Sequence, residues 1–131
     1  MPDTDARTRP ALDAVTRWAR DHYALVDAAA VDAYIEDFDP EIELRFASSP
    51  PVRGRAAVRD ALAAGHARHE MAHTFVGCWE DGETTILEFD VVYTYPDGHT
   101  HAMPSVAILR RGASGLIDSL RVYVERPSAA S

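Results

Sequence analysis

The amino-acid sequence predicts an α+β fold in which three helices come first and an antiparallel sheet follows. In the first half of the chain, apolar residues recur at helical spacing, whereas the second half alternates apolar and polar residues as half-buried strands do. Turn sequences divide the second half into hairpins. This order favours a layer of helices on one face of the sheet.

Two helices are predicted near the start of the chain. The first is amphipathic, and its apolar face contains Leu12, Val15, Trp18, Ala19, His22, Leu25 and Val26. The second is short and fits Val31 to Phe38. It must end near Asp39 and Pro40, because proline disfavours the helical conformation in the residue that precedes it.

A strand, a loop and a third helix follow. Residues 41–46, EIELRF, alternate charged and apolar side chains with the period of a half-buried strand. Residues 47–55, ASSPPVRGR, predict a loop. Residues 56–69, AAVRDALAAGHARH, are rich in alanine and therefore predict the third helix.

The remaining residues predict the antiparallel sheet. Residues 72–95 are typical of a hairpin whose turn lies at Asp81 and Gly82, since Asp-Gly is a preferred hairpin turn. A second turn is predicted at Pro96, Asp97 and Gly98. Residues 115–125, GLIDSLRVYVE, predict the last strand.

Length and charge limit the classes of function. At 131 residues the chain is expected to form one domain, with an ordered core of about residues 10–127 between short polar tails. The net charge of -8 argues against a nucleic-acid partner, because phosphate binding needs a basic surface. No apolar run approaches the roughly 20 residues that span a bilayer, and the first residues lack the apolar stretch of a signal peptide. We therefore expect a soluble cytoplasmic protein with no membrane partner.

The composition also limits covalent chemistry. All 13 cationic residues are arginines, which excludes a lysine Schiff base and the usual anchor of pyridoxal phosphate. No cofactor is expected. The single Cys78 cannot form an internal disulfide and is expected to be a buried thiol rather than a nucleophile.

One short motif matches the signature of zinc hydrolases. His69, Glu70 and His73 fit H-E-x-x-H, in which two histidines four apart on a helix bind zinc beside a general base. However, Gly65 weakens the helix before the motif, and the β-prone residues 73–79 follow it. We predict that the chain passes from a helix end into a strand within the motif, and no metal site is expected.

Four stretches resemble the SnoaL-like and ketosteroid-isomerase-like members of the nuclear-transport-factor-2-like superfamily. They are YALVDAAAVDAYIEDFDPEIELRF, PPVRGRAAVRDALAAG, TYPDGHTHAMP and GLIDSLRVYVERP, and they extend from about Trp18 to Pro127. The resemblance implies a single SnoaL-like domain, a cone-shaped α+β barrel with three N-terminal helices on a curved, mostly antiparallel sheet that encloses a pocket. It also implies a small-molecule ligand and a homodimer formed through the outer sheet face.

The resemblance transfers few catalytic groups from the ketosteroid isomerases. Their oxyanion-hole tyrosine lies where His22 stands, with Tyr23 next to it. Their general-base aspartate falls on Arg45 or Phe46, and their second oxyanion donor falls near Ser105. A steroid-isomerase mechanism is therefore not expected, because proton abstraction beside a carbonyl group needs a base.

The epoxide-hydrolase and cyclase patterns are also incomplete. Asp90 matches one aspartate of the epoxide hydrolases, but Glu88 stands where their arginine would be. Val122 stands where the epoxide hydrolases and the SnoaL cyclases have a last-strand aspartate. Fold alone does not fix the reaction, because the superfamily includes isomerases, cyclases, dehydratases and members without known catalysis.

The candidate catalytic residues are Asp90, His22, His101 and His73. Asp90 either lines the pocket, where burial would raise its pKa toward that of a general base, or points outward while its neighbours form the core. His22 is either a core residue or a proton carrier. His101 is either an acid or base at the pocket mouth or part of a solvated hairpin end, and His73 can line the pocket from the second strand.

The candidate ligand-binding residues are Trp18, Tyr34, Arg45, Phe46, Met103, Ser105, Leu120 and Val122. The predicted function is cofactor-independent acid–base catalysis, of the isomerase, cyclase or dehydratase type, on a small apolar carbonyl compound. A non-catalytic ligand-binding or dimerisation module is the alternative, and a zinc hydrolase is the least favoured.

Overall fold

The computed structural model describes residues 17–125, and its first elements are helical. Helix α1 is described from residue 17 to residue 27, and α2 covers Val31–Tyr34 before a 3-10 turn at Ile35–Asp37. The predicted part of the first helix before residue 17 and the outer ends of the predicted ordered core lie outside the described residues. Within residues 17–125, no helix has the length and apolar character needed to cross a membrane.

The second helix ends earlier than the sequence predicted. We expected it to reach Phe38, but strand β1 begins there and covers Phe38–Phe46. Pro40 therefore lies within a strand. Its missing N–H falls in an irregular stretch, since the pairing of β1 with the last strand shifts register between Phe38 and Glu43.

Within residues 17–125, six strands form one curved, unclosed sheet. After β1 come β2 (Val52–Arg53), α3 (Arg55–Arg68), β3 (Glu70–Asp81), β4 (Thr84–Thr94), β5 (Thr100–Arg111) and β6 (Ile117–Val124). The strand order is β2-β1-β6-β5-β4-β3, and β1 with β6 is the parallel pair. Both predicted hairpins are confirmed, and Gly82 and Gly98 in their turns have φ of 61° and 91°, a conformation that glycine adopts readily.

Alternation along β4 and β5 gives the sheet a buried inner face and a more exposed outer face. Leu87, Phe89 and Val91 are at most 2% exposed and lie on the inner face, which α1 and α3 cover. The predicted α+β architecture, with three helices on a mostly antiparallel sheet, is confirmed. The space between the helices and the inner face is where a ligand can bind.

Candidate active site

A cavity of about 300 Å³ lies between the helices and the inner face of the sheet. Its walls are mainly apolar and include the rings of Phe38, Phe46 and Phe89. The described residues that line it include no Asp, Glu, Arg or Lys. Hydrogen-bonding side chains come from His22, Tyr23, Tyr34, Ser49, His69, His73 and Ser105. Such a lining suits an uncharged, largely apolar ligand with a few oxygen atoms.

The end of α1 places a carboxylate against β3. The N–H of Ala30 donates to the carbonyl of Leu25, and Ala29 adopts φ 57°, which closes the helix just after Asp27. Asp27 accepts the backbone N–H of His73 at 2.9 Å and lies 2.6 Å from its Nδ1. When Nδ1–H donates to the carboxylate, Nε2 is the nitrogen left to act on a ligand. The His73 side chain is 10% exposed.

A second imidazole–carboxylate pair borders the same cavity. His22 of α1 is 4% exposed, and its Nδ1 lies 2.7 Å from Oδ2 of Asp37, the last residue of the 3-10 turn. The Asp37 side chain is 36% exposed, so this pair joins a buried ring to a solvent-accessible carboxylate. Here too, an Nδ1–H donor would leave Nε2 free to exchange protons.

Tyr23 lies between the two imidazoles. The centre of its ring is 5.2 Å from that of His22 and 4.9 Å from that of His73. Burial raises the pKa of the Tyr23 phenol, and the nearby Tyr34 and Asp27 raise it further. Tyr23 therefore keeps its proton and can donate a hydrogen bond. The two imidazoles and this phenol are neighbours in the lining of the cavity.

Tyr34 supplies a second phenol and connects α2 to α3. Its Oη lies 2.7 Å from Nε2 of His66. Burial raises the pKa of Tyr34, and burial also lowers the pKa of His66, which Asp27 opposes only in part. Both side chains are therefore neutral near pH 7, and a neutral phenol can donate or accept.

The H-E-x-x-H motif spans a helix end and a strand, as predicted. Helix α3 ends at Arg68, His69 is extended with φ -162°, and Glu70 begins β3. His69 and His73 both line the cavity. The extended backbone between them places their Cα atoms about 13 Å apart, too far for the two imidazoles to bind one metal ion. Across residues 17–125, no group of three or more His, Cys, Asp or Glu side chains is placed to hold a metal.

His69 is held by aromatic contacts instead. Its ring stacks on Tyr93 with the centroids 3.9 Å apart and the planes 13° apart, and Tyr95 contacts it edge-on. Burial lowers the pKa of the His69 imidazole. His69 is therefore a neutral part of the cavity wall near pH 7.

Comparison with known proteins places the chain in a family. The model of the SnoaL-like domain matches residues 19–120. The chain belongs to the SnoaL-like family. The comparison with curated proteins gives no match.

Solved structures show the same fold at low identity. A protein from Xanthomonas campestris pv. campestris that is proposed to be a polyketide cyclase is 19% identical, with a TM-score of 0.74 over 86% of this chain and 90% of that one. An NTF2-like protein of unknown function from Exiguobacterium sp. 255-15 is 24% identical, with a TM-score of 0.69 over 82% and 98%. An NTF2-like protein of unknown function from Burkholderia pseudomallei K96243 is 13% identical, with a TM-score of 0.75 over 84% and 89%. These likenesses support the cone-shaped SnoaL-like fold alone.

The predicted catalytic residues of this SnoaL-like chain fall in different places. His22 and His73 line the cavity, but Asp90 is exposed on the outer face of β4. The hypothesis that Asp90 lines the pocket is wrong, because β4 directs Phe89 and Val91 inward and their neighbours outward. His101 lies opposite Tyr93 in the β4–β5 pairing but does not line the cavity.

The predicted ligand-binding residues also divide. Those that line the cavity are Tyr34, Phe46, Ser105, Leu120 and Val122. Trp18, Arg45 and Met103 do not line it, which corrects the expectation. Trp18 stacks on His22, Arg45 is exposed because it alternates with the inward-facing Leu44 and Phe46, and Met103 packs with Val91 and Tyr93 in a separate cluster.

Sequence reasoning missed Asp27, Asp37 and His66. Asp27 carried one usable signal: a carboxylate in the last turn of a helix interacts unfavourably with the helix dipole, so a compensating partner is expected. Asp37 carried none, since it was predicted to be inside a helix. The partners of Asp27 and Asp37 are distant in sequence, and no local pattern connects them.

Proposed function

We propose that this SnoaL-like protein catalyses proton transfer within a small, uncharged carbonyl compound without a cofactor. One observation carries the proposal: the imidazoles of His73 and His22 line one largely apolar cavity, and each is paired with a carboxylate outside the lining, Asp27 and Asp37 respectively. A carboxylate beside Nδ1 orients the ring and stabilises the imidazolium that forms when Nε2 takes a proton.

His73 is the proposed general base. Its Nε2 takes a proton from the carbon next to the carbonyl group, and the electron pair of that C–H bond forms an enolate whose charge gathers on the oxygen. Neutral phenols of Tyr23 and Tyr34 are the proposed hydrogen-bond donors to that oxygen, with Tyr34 accepting the Nε2–H of His66. When the substrate has a double bond conjugated with the enolate, return of the proton to the γ-carbon moves that double bond and completes an isomerisation. Loss of a β-hydroxyl group as water completes a dehydration, in which the imidazolium form of His22 gives up its Nε2 proton and His73 keeps the proton that it took from carbon.

The lining supports an uncharged ligand. No carboxylate or guanidinium among the described residues lines the cavity. A buried anion without a cation is strongly disfavoured, so carboxylates, phosphates and thioesters of anionic carriers fit the cavity poorly. A neutral ketone or phenol with one or two rings fits its aromatic walls.

The test is hydrogen exchange into a neutral bicyclic ketone. In D₂O, NMR follows deuterium incorporation next to the carbonyl group of 2-tetralone, above the rate in buffer alone. We expect His73→Gln to lower the protein-dependent rate about 100-fold or more, the usual range for removing a general base. Equal rates in His73→Gln and the wild type would contradict the role of His73.

Two variants are matched controls for that test. His99 pairs with Asp97 on an exposed hairpin, so His99→Gln removes the same kind of contact away from the cavity. Asp90→Asn removes a carboxylate from the outer face. Both should keep the wild-type rate. If 2-tetralone raises the melting temperature of the wild type but no deuterium enters, the non-catalytic ligand-binding module replaces the enzyme proposal.

We also propose that the chain forms a homodimer through the outer face of the sheet. Val76 and Trp79 of β3 and Tyr123 of β6 are 55%, 52% and 48% exposed, so large apolar side chains meet solvent on strands whose other face lines the core. Light scattering after size exclusion should give twice the chain mass. Tyr123→Glu should give the mass of one chain, and a wild-type monomer at micromolar concentration would contradict the proposal.

We further propose a cytoplasmic protein without a nucleic-acid partner. The net charge of -8 supports the absence of a nucleic-acid partner, since it opposes association with phosphate backbones. The single cysteine, Cys78, supports a cytoplasmic location, because small extracellular domains are typically stabilised by several disulfides and one cysteine cannot form an internal disulfide.

A further inference from the structure

Three side chains form a stacked row that ends at the cavity. The indole of Trp18 stacks on the imidazole of His22, with centroids 5.4 Å apart and planes 18° apart. The guanidinium carbon of Arg111, at the end of β5, lies 4.6 Å from the centre of the Trp18 ring. His22 lines the cavity, whereas Trp18 and Arg111 do not.

The hydrogen bond to Asp37 alone does not fix the His22 ring. A single contact at Nδ1 still allows the ring to rotate about that contact, and the exposed carboxylate can also bond to water. Stacking on Trp18 adds a contact along one face of the ring. Tyr23 and Tyr34 meet the ring edge-on, at 72° and 75°, and Phe38 lies tilted against it at 40°.

The arginine holds the indole in turn. A guanidinium over an indole face is an attractive cation–π contact, and it also shields the apolar ring from water. Trp18 is half-buried, and without Arg111 the face of its indole that the guanidinium covers would be exposed to solvent. The contacts therefore run from a cation at the protein surface, through an indole, to a buried imidazole.

We propose that Trp18 and Arg111 are positioning residues for His22, which hold its ring plane so that Nδ1 stays on Asp37 and Nε2 faces the ligand. This proposal rests on the proposed function only for the role of Nε2 of His22, which is to exchange a proton with the ligand. The orientation of the His22 ring can be tested without any ligand, because a ring held in one orientation should keep one tautomer.

The test is imidazole ¹⁵N NMR of the ligand-free protein, with the His22 signal identified by its loss in His22→Gln. The wild type should hold the Nδ1–H tautomer in about tenfold excess or more, as a charge-assisted hydrogen bond implies. Trp18→Leu should lower that excess about tenfold, and Trp18→Phe, which keeps a stacking ring, should restore most of it. Arg111→Met should lower it about two- to fivefold, as an exposed cation–π contact implies.

Trp79→Leu is the matched control, since Trp79 is exposed on the outer face of the sheet, opposite to the face that α1 covers. It should leave the His22 signal unchanged, and an equal loss there would overturn a specific role for Trp18. Unchanged signals in folded Trp18→Leu and Arg111→Met would also overturn the proposal. If Trp18→Leu does not fold, Arg111→Met decides. Because no ligand is used, failure of the deuterium exchange test leaves this result standing, and the reverse is also true.

Discussion

Replacement of Asp27 by asparagine removes the negative charge beside His73 but keeps a side chain of nearly the same size. In the structure the carboxylate accepts two hydrogen bonds, one from the backbone N–H of His73 and one from its imidazole. Hydrogen bonds to charged groups contribute about 1.5–3 kcal/mol, against about 0.5–1.5 kcal/mol for neutral ones. The Asp27 side chain is 29% exposed, so we expect the free energy of unfolding to fall by only about 1–2 kcal/mol.

The effect of Asp27→Asn on catalysis should be larger. An asparagine amide can donate to Nδ1, which favours the tautomer with its proton on Nε2 and so removes the base. It also leaves the imidazolium without a counter-charge. We expect the rate of deuterium incorporation into 2-tetralone to fall about 10²- to 10⁴-fold.

Urea unfolding and the exchange rate, measured on the same preparations, check both parts. Asp97→Asn is the matched control, because Asp97 pairs with His99 on the exposed hairpin and should keep the wild-type rate and nearly the wild-type stability. An Asp27→Asn protein that loses the expected stability but exchanges as fast as the wild type would refute the reasoning that this carboxylate sets the tautomer of His73.

Three further changes have expected outcomes. Tyr34→Phe leaves Nε2 of the partly buried His66 without its partner and should lower the free energy of unfolding in urea by about 1–3 kcal/mol. Ala107→Leu adds bulk to the cavity wall and should abolish the rise in melting temperature caused by 2-tetralone, whereas Ala102→Leu on the exposed face should not. Burial lowers the pKa of His69, so the native state takes up a proton less readily than the unfolded state, and stability is lost as the pH falls below the ordinary value of 6.5. His69→Phe should reduce that loss in thermal melts followed by circular dichroism, and an unchanged pH dependence would contradict the assignment.

The sequence predicted the fold because the fold depends on local patterns. Alternation in residues 41–46, the turns near Gly82 and Gly98, and the alanine-rich third helix each specify an element through its own residues. The early end of α2 was not predictable in this way. Pro40 restricts the residue before it but does not say where between Tyr34 and Phe38 the helix gives way to a strand.

The site depends on contacts between distant residues, and the sequence therefore predicted only half of it. His22 and His73 were identified from their positions on an apolar helix face and a strand. Their carboxylate partners, 15 and 46 residues away in the chain, follow only from the tertiary packing. Asp90 was wrongly expected to line the pocket. The alternation of side chains along β4 defines two faces of the strand but does not say which face the helices cover.

A crystal structure with 2-naphthol, a stable mimic of the enol of 2-tetralone, tests the central claim most directly. We expect the naphthol ring to lie in the cavity, with its oxygen about 2.6–3.2 Å from the Oη atom of Tyr23 or Tyr34 and its C1 atom facing Nε2 of His73. Binding outside the cavity, or inside it with the naphthol turned away from both His73 and His22, would contradict the claim that these imidazole–carboxylate pairs act on a carbonyl compound.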